Sequence, residues 1–306
     1  MIKTEHLTKR YDVHTVVDDV TFEVRPGEVL GFLGPNGAGK TTTMRMLAGF
    51  VTPSAGRASI CGHDVQEDAL AAKASLGYLP EGAPAYGEMS VRQFLGFIAD
   101  LRALSGARRA RLDYVVERLQ LGSVLEQSVE TLSKGYRRRV GLAVAIMHDP
   151  PVLILDEPTD GLDPNQKHEV RTLINEMARD KIIVISTHIL EEVDAVCTRA
   201  IIIARGRIVA DDSPHGLAAK SRYHNAVSVR LERAEQLAAA RTALGALPSV
   251  LDVEVSEREA RLTALPRAGA TILPAVSELA ARQGFQLKEL QLESGRLDEV
   301  FRTITA

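Results

Sequence analysis

The chain has 306 residues, enough for about two domains of ordinary size and a large buried core. Its 37 Lys and Arg against 40 Asp and Glu give a formal net charge of −3, so the overall charge does not favour nucleic acid or anionic lipid, and phosphate recognition must be local. Hydrophobic residues at 45% and charged residues at 25% exclude a disordered or collagen-like chain.

The apolar segments and the N-terminus bear on location. The longest apolar runs, such as residues 152–155 and 200–204, are far shorter than the ~20 residues that cross a bilayer. The first residues lack a basic segment followed by an apolar one, so no secretory signal is predicted. Seven Phe, six Tyr and no Trp disfavour a base-stacking surface. We expect a cytoplasmic protein with no nucleic-acid partner.

Strand and helix patterns alternate through the first two thirds of the chain. Val20, Phe22 and Val24 alternate with polar residues, as in an edge strand. Continuous apolar runs predict strands covered on both faces at residues 29–33, 152–155, 182–185 and 201–203. Because these strands alternate with helical segments, they predict an α/β fold with a mostly parallel central sheet.

Two further regions interrupt or follow this pattern. Residues 83–149 contain helical patterns at 90–104, 107–121 and 135–147 with no convincing strand between them, which predicts a helical insert. Residues 216–306 change to the order βαββαβ, with strands near 227–231, 250–255, 260–265 and 285–292 and a last helical piece at 297–304. That order is the split, ferredoxin-like arrangement of an α+β domain.

A phosphate-binding loop follows the first buried strand. The sequence fits the pattern G-x-x-x-x-G-K-[ST], with a strand before it and a helix after it. Its glycines let backbone N–H groups converge on phosphate oxygens, and the helix N-terminus adds partial positive charge. We expect Lys40 to reach the β- and γ-phosphates and the Thr41 hydroxyl to ligate Mg²⁺. The loop consists of Gly34, Pro35, Asn36, Gly37, Ala38, Gly39, Lys40 and Thr41.

Ionisable side chains follow two other predicted strands. Asp156 and Glu157 end the strand at 152–155, at the edge where ligands of such sheets bind. We expect Asp156 to hold Mg²⁺ and Glu157 to orient or deprotonate a water. His188 follows the strand at 182–185, and by the same argument it would lie beside the γ-phosphate.

Together these residues resemble the ATP-binding-cassette (ABC) ATPases over about residues 1–215. The motifs occur in the family's order: Tyr11 at the adenine-stacking position, Walker A at residues 34–42 ending in Thr42, the Q-loop at 77–81 ending in Glu81, the signature at Ser133, Lys134 and Gly135, Walker B at 153–157, the D-loop ending in Asp163, and the switch His188. The local sequences around Glu81, Ser133 and His188 are most similar to ATP-binding subunits of ABC-2-type exporters, including gliding-motility and drug-resistance members.

The resemblance implies a fold and a set of partners. The expected fold is a P-loop NTPase ABC ATPase of α/β class at residues 1–215, with a mostly parallel central sheet, an antiparallel N-terminal β part and a helical insert. A ferredoxin-like α+β accessory domain would follow at residues 216–306. The cofactors would be ATP and Mg²⁺. Each ATP would lie between Walker A of one cassette and the signature of another, in a homodimer or with a second ABC ATPase subunit, and a separate ABC-2-type permease would be driven from the inner membrane face.

Two departures from the general family pattern concern the site. The signature has Ser133-Lys134-Gly135-Tyr136 where Ser-Gly-Gly-Gln is usual, and Glu81 replaces the usual Gln of the Q-loop. A carboxylate at Glu81 would contact Mg²⁺ with a full charge; a surface-loop acid is the alternative. The basic clusters at residues 108–111 and 137–139 fall on predicted helices, where a solvated face is expected.

Other functions remain open on sequence alone. A soluble ABC ATPase that acts on ribosomes or DNA is the main alternative to an exporter subunit. The members acting on ribosomes usually carry two cassettes, and those acting on DNA have long coiled coils; here Lys40 and Asp156 are only 116 positions apart without heptads. A nucleotide-binding regulator would lack a catalytic acid, and Glu157 is present.

Overall fold

The computed structural model describes residues 1–82, 85–104 and 106–305, so the predicted start of the helical insert at residue 83 lies outside the described residues. The chain divides into two compact units, one comprising Met1–Ser213 and Thr305 and the other Pro214–Ile304. Within the described residues, no helix is both long enough and apolar enough to cross a bilayer.

The first unit begins with an antiparallel sheet and continues into alternating strands and helices. Its strands are β1 (Ile2–Tyr11), β2 (His14–Val24), β3 (Val29–Leu33), β4 (Ala55–Ile60), β5 (His63–Asp64), β6 (Leu76–Leu79), β7 (Val152–Asp156), β8 (Ile182–Thr187), β9 (Arg199–Ala204) and β10 (Arg207–Asp212). Its helices are α1 (Lys40–Leu47), α2 (Ala69–Ala74), α3 (Val91–Leu101), α4 (Arg108–Arg118), α5 (Lys134–Ile146), α6 (Pro164–Met177) and α7 (Leu190–Val196).

Two sheets organise this unit. The antiparallel sheet has the order β2-β1-β4-β5, and the alternating Val20, Phe22 and Val24 are buried on edge strand β2. The central sheet has the order β10-β9-β3-β8-β7-β6, in which the pairs from β9 to β6 are parallel and β10 is antiparallel to β9. The predicted combination of an antiparallel N-terminal part and a mostly parallel central sheet is confirmed.

The central sheet is buried on both faces. Leu153 and Leu155 of β7 pack into one hydrophobic cluster, and Val152 and Ile154 pack into another. Successive side chains of a strand point to opposite faces, so a strand between two clusters must be apolar throughout. This explains why the strands with continuous apolar runs are central.

Register aligns the carboxyl ends of three neighbouring strands. Leu33 of β3 pairs with Thr187 of β8, and Asp156 of β7 pairs with Ser186 of β8. The loop after β3, the acids that end β7 and the residue that follows β8 therefore leave the sheet at one edge.

The helical insert consists of α3, α4 and α5, joined by turns. Ser90 and Gln93 form a capping box at the start of α3, and Ser133 caps α5 by accepting a hydrogen bond from Tyr136 N. Arg111 of α4 donates to the carbonyls of Ile146 (2.7 Å) and Met147 (2.9 Å). Arg111 therefore satisfies carbonyl groups at the C-terminal end of α5. The prediction that the cluster at residues 108–111 lies on a solvated face is wrong for Arg111.

The second unit is of α+β class, and two of its helices, α9 and α10, pack on one antiparallel sheet. Its elements are α8 (Pro214–Ala218), β11 (Val227–Leu231), α9 (Leu237–Gly245), β12 (Val250–Ser256), β13 (Arg261–Pro266), α10 (Leu273–Gln283), β14 (Leu287–Leu292) and α11 (Leu297–Thr305). The strand order β12-β13-β11-β14 is that of a split βαβ arrangement, as predicted. Side chains of α9 and α10 complete a separate core with one face of this sheet.

Candidate functional site

The phosphate-binding loop connects β3 to α1 and requires glycine for steric reasons. A Cβ on Gly34 would lie 2.4 Å from the Ile203 carbonyl oxygen, and one on Gly39 would lie 2.6 Å from the Val16 carbonyl oxygen. Gly39, at φ 105°, is the residue before the first turn of α1. Both positions require glycine for this close approach, and Gly39 also requires it for its left-handed backbone. The N-terminus of α1, which follows directly, is the kind of element that binds anions.

The loop borders a cavity of about 300 Å³. Residues from four regions meet there: β2, the loop with α1, the segment after β6 with Glu81, and the segment after β7 with Glu157. Val16 of β2 lines it, and no sequence signal singled this residue out. The lining residues are Val16, Asn36, Gly37, Gly39, Lys40, Thr41, Thr42, Glu81 and Glu157.

Lys40 is folded back onto its own loop. It is 7% exposed, and its Nζ donates to the carbonyl oxygens of Gly34 (2.7 Å) and Pro35 (3.2 Å). Burial lowers the pKa of Lys40 from its ordinary value, and the nearby carboxylates oppose that shift. Those carboxylates belong to Glu157, Asp156 and Glu81. The Lys40 ammonium is thus a buried donor, and an anionic ligand would replace the two carbonyl oxygens as its hydrogen-bond acceptors.

Asp156 offers a buried oxygen to a cation. The residue is 1% exposed, and within the described part of the chain its Oδ2 has no hydrogen-bond partner. A buried carboxylate oxygen without a donor costs free energy unless a ligand satisfies it. Hard oxygen ligands suit Mg²⁺, which usually keeps several waters and phosphate oxygens. Among the described residues, no group of three or more His, Cys, Asp or Glu side chains is arranged to hold a metal.

Glu157 and His188 form a direct pair at the edge of the sheet. The His188 Nδ1 to Glu157 Oε1 distance is 2.7 Å. Glu157 has a left-handed backbone, at φ 55°, and its N–H donates to the Ser186 carbonyl at 2.8 Å. A non-glycine residue in that conformation costs about 1–2 kcal/mol, so the surrounding hydrogen bonds must hold it there. The turn directs a carboxylate into the cavity beside a histidine, which suits proton transfer to or from a bound water.

Of the three signature residues, Lys134 lines a second cavity, of about 400 Å³. Lys134 Nζ forms an ion pair with Asp160 Oδ2 at 2.7 Å. A Cβ on Gly135 would lie 3.0 Å from Gln166 Oε1 and 3.2 Å from the Gly161 carbonyl oxygen, so the start of α5 packs closely against the segment after β7. The lining residues are Glu81, Gly82, Lys134, Arg137, Arg138 and Asp160. Glu81 thus borders both cavities, whereas Ser133, Lys134 and Gly135 do not line the one at the phosphate-binding loop.

The solvated face expected for the basic cluster at residues 137–139 is wrong for two of its arginines. Arg138 and Arg139 are 6% and 4% exposed. Arg138 donates to the Pro80 carbonyl at 2.8 Å, and Arg139 donates to the Leu119 carbonyl at 3.1 Å while stacking over Tyr136. Helix α5 faces both β6 and α4, so its basic side chains satisfy backbone carbonyls there. Arg138 links the signature helix directly to the residue before Glu81.

Further predicted site residues are absent from the lining of the cavity at the phosphate-binding loop, including Asp156, His188, Tyr11 and Asp163. Tyr11 ends β1 at the hairpin, is 47% exposed, and has Lys9 Nζ 4.9 Å from its ring centroid. Asp163 caps α6, accepting a hydrogen bond from Gln166 N at 2.9 Å. Neither residue lines that cavity, so the structure of this chain by itself does not bring them to the loop.

Comparison with known proteins gives the family. The family model described as "ABC transporter" matches residues 17–160. Nod factor export ATP-binding protein I of Paraburkholderia xenovorans is 40% identical over 220 residues, 71% of this chain and 72% of that protein. The probable multidrug ABC transporter ATP-binding protein YbhF of Escherichia coli is 35% identical over 72% of this chain and 38% of that protein.

A solved structure agrees with these sequence relatives. An ATP-binding subunit of an ABC transporter has a TM-score of 0.68 to this chain at 30% identity, covering 72% of this chain and 92% of that one. The predicted P-loop ABC ATPase fold is confirmed, and so is the predicted activity class of ATP hydrolysis coupled to transport. The chain belongs to the ABC transporter family, as an ATP-binding subunit with ATPase activity.

Proposed function

We propose that this chain hydrolyses ATP at the phosphate-binding loop and powers a separate permease of an ABC-2-type export system. The pair formed by Glu157 and His188 carries the proposal, because Glu157 places a carboxylate in the wall of the cavity beside Lys40 and His188 lies within hydrogen-bonding distance of that carboxylate. The export function is supported by the names of relatives, which describe Nod factor export and multidrug transport.

The loop residues would bind the phosphates. Backbone N–H groups of the loop and of the start of α1 would face phosphate oxygens, and Lys40 would exchange the carbonyls of Gly34 and Pro35 for the β- and γ-phosphates. Glu157 would orient the attacking water and accept its proton. Because Nδ1 of His188 contacts Glu157, Nε2 is the ring nitrogen left to face the γ-phosphate or the water.

Mg²⁺ is part of this proposal. The unpartnered Oδ2 of Asp156, the Thr41 hydroxyl and the Glu81 carboxylate are the groups that would hold it. When bound, the ion would offset negative charge on the phosphates. Glu81 would contribute a full charge where the family usually has an amide.

A second cassette would complete the site. Ser133, Lys134 and Gly135 do not line the loop cavity of their own chain, which supports a head-to-tail arrangement in which they contact ATP bound to a partner cassette. Tyr11 would stack on adenine, and Asp163 would approach the partner site. The partner is a second copy of this chain or another ABC ATPase subunit, and the pair would sit at the inner face of the membrane through the permease. A function on ribosomes or DNA is not favoured, because the relatives are named as transporter subunits.

Glu157→Gln tests the proposed chemistry. Loss of the carboxylate removes the proton acceptor but keeps the size of the side chain, so ATP hydrolysis should fall ~10²–10⁴-fold while ATP binding persists. Phosphate release and binding of a fluorescent ATP analogue would be measured, with Glu232→Gln, an exposed acid in the second unit, as the matched control.

Dimerisation of the same variant tests the two-cassette site. With ATP and Mg²⁺, Glu157→Gln should accumulate as a dimer in size-exclusion chromatography, because ATP is bound but not hydrolysed. A wild-type rate in this variant would contradict the role of Glu157, and strictly monomeric elution would contradict the shared site.

A further inference from the structure

Glu192 is a buried acid that the proposed chemistry does not use. It is 2% exposed and lies on α7, next to the buried Val193 and on the same helix face as Val196. A carboxylate withdrawn from water is strongly destabilising unless its oxygens find hydrogen-bond donors. Its position on an apolar face therefore requires specific partners.

Those partners are two threonines from different segments. Thr187 Oγ1 donates to Glu192 Oε2 at 2.9 Å, and Thr159 Oγ1 donates to Glu192 Oε1. Thr187 is 1% exposed and Thr159 is 2% exposed, so water does not compete for these contacts. Thr187 Oγ1 also accepts from Ile189 N at 3.1 Å, which fixes the direction of its own proton toward Glu192.

Each threonine stands beside a member of the catalytic pair. Thr187 directly precedes His188, and Thr159 lies two residues after Glu157. Since Nδ1 of His188 and Oε1 of Glu157 are 2.7 Å apart, covalent segments and hydrogen bonds form a closed ring that includes Glu192. A shift of either segment would break a contact within this ring.

We propose that Glu192 is a positioning residue of the ATPase, which holds the turn after β7 and the residue after β8 at the separation at which Glu157 and His188 bond. Glu192 acts through Thr159 and Thr187 and touches no substrate. This inference rests on the proposed roles of Glu157 and His188. It means that a residue 35 positions beyond Glu157 helps to set the distance between these two side chains.

Glu192→Gln is the main test, since it keeps the shape of the side chain. Both threonine hydroxyls donate to the carboxylate of Glu192. A glutamine amide has one oxygen that can accept such a bond, and its NH₂ group would face the hydroxyl proton of the other threonine. We expect kcat to fall about 10–100-fold, which is the loss typical of residues that orient a functional side chain. The KM for ATP should stay within about twofold of wild type. Glu191→Gln, the neighbouring exposed acid, is the matched control and should keep both constants.

A second pair of variants guards against a folding defect in Glu192→Gln. Thr159→Val removes only the hydroxyl at nearly constant volume, and Thr159→Ser retains it. The valine variant should lose kcat as Glu192→Gln does, and the serine variant should lose clearly less. Melting temperatures of all variants would be recorded in parallel.

The effects of Glu157→Gln and Glu192→Gln on kcat should not add, and this distinguishes a positioning role of Glu192 from a general contribution to stability. In full-length protein, the double variant Glu157→Gln with Glu192→Gln should be no slower than Glu157→Gln alone, because the geometry that Glu192 sets has no further value without the carboxylate. Wild-type kcat in folded Glu192→Gln would overturn the inference, as would a loss in which kcat, KM and melting temperature all change together. If Glu157→Gln itself keeps wild-type turnover, the proposed function fails first.

Discussion

His148 shows how one half-buried side chain couples folding to pH. Its Nε2 is 3.1 Å from the Leu76 carbonyl oxygen, and Nδ1 is buried with no hydrogen-bond partner among the described residues. Burial, together with nearby cations of which Arg102 is the foremost, lowers the pKa of His148 to about 4. The folded protein thus holds this ring neutral at pH values at which a free histidine is protonated.

We expect acid to destabilise the chain through this histidine. The ordinary pKa is 6.5, so between about pH 6.5 and 4 the unfolded chain binds more protons than the folded one. The free energy of unfolding should therefore fall on acidification across that window, by about 1–3 kcal/mol after allowance for partial solvent screening. Urea unfolding at pH 7.5 and pH 5 measures the difference.

His148→Gln should reduce this pH dependence, and the same substitution at exposed His168 is the matched control. The neighbouring Asp149 does not contribute to the pH dependence in this range. Lys181 lowers the pKa of Asp149, so the stabilisation from this ion pair is lost only at more acidic pH. An unchanged slope in His148→Gln would show that other groups dominate.

The site residues differ in how far sequence could reveal them. Gly34 and Glu157 directly follow apolar strands, and Lys40 begins the helix after the glycine-rich loop, so local pattern and strand-edge geometry indicate where they lie. Arg138 and Glu192 could not be found in this way, because their contacts join residues 58 and 33 positions apart. A basic cluster on a helix gives the same sequence signal whether it faces water or distant carbonyls.

At the scale of elements, β6 packs tightly against the C-terminal half of α5. A Cβ on Gly77 would lie 2.1 Å from the Ala145 carbonyl oxygen and 2.7 Å from Leu153 Cδ2. Strand β6 leads to Glu81, and α5 begins beside Ser133. This contact therefore fixes the Q-loop relative to the signature helix, in the same region as the bond from Arg138 to Pro80.

Gly77→Ala should destabilise the first unit by roughly 1–3 kcal/mol or more, because a methyl group cannot fit without moving α5 away from β6. Chemical denaturation of full-length protein measures the loss. Gly122→Ala is the matched control, since a Cβ there meets nothing within 4 Å. Equal stability of the two variants would mean that the elements adjust at little cost.

Elements were predicted more reliably than their contacts. The periodic pattern at residues 90–104 corresponds to α3 (Val91–Leu101), and the early start is explained by Ser90, which caps the helix instead of joining it. The strand predicted at 285–292 begins at Leu287. The local sequence pattern shows whether a segment has the periodicity of a helix or of a strand. Strand order and the packing of α5 depend on contacts between distant segments, so this pattern does not predict them.

At the scale of the whole molecule, the two units have separate hydrophobic cores. Leu262 lies at the centre of the second one: it is fully buried on β13, opposite Val229 of β11 and Val255 of β12. Every residue that lines the cavity at the phosphate-binding loop belongs to the first unit. We therefore expect a change in the core of the second unit to leave this cavity intact.

Leu262→Ala should lower the stability of the second unit by about 2–5 kcal/mol, the range for removing a buried leucine side chain. ATP binding and basal hydrolysis should stay within about twofold, because the cavity and the Glu157–His188 pair are built from other elements. Ile154→Ala, a fully buried position two residues before Asp156, should instead reduce both. Limited proteolysis, with fragments assigned by mass, and phosphate release would be followed in parallel. In Leu262→Ala, the second unit should become more sensitive to the protease while phosphate release stays unchanged. If phosphate release falls as well, the second unit acts on the catalytic cycle itself.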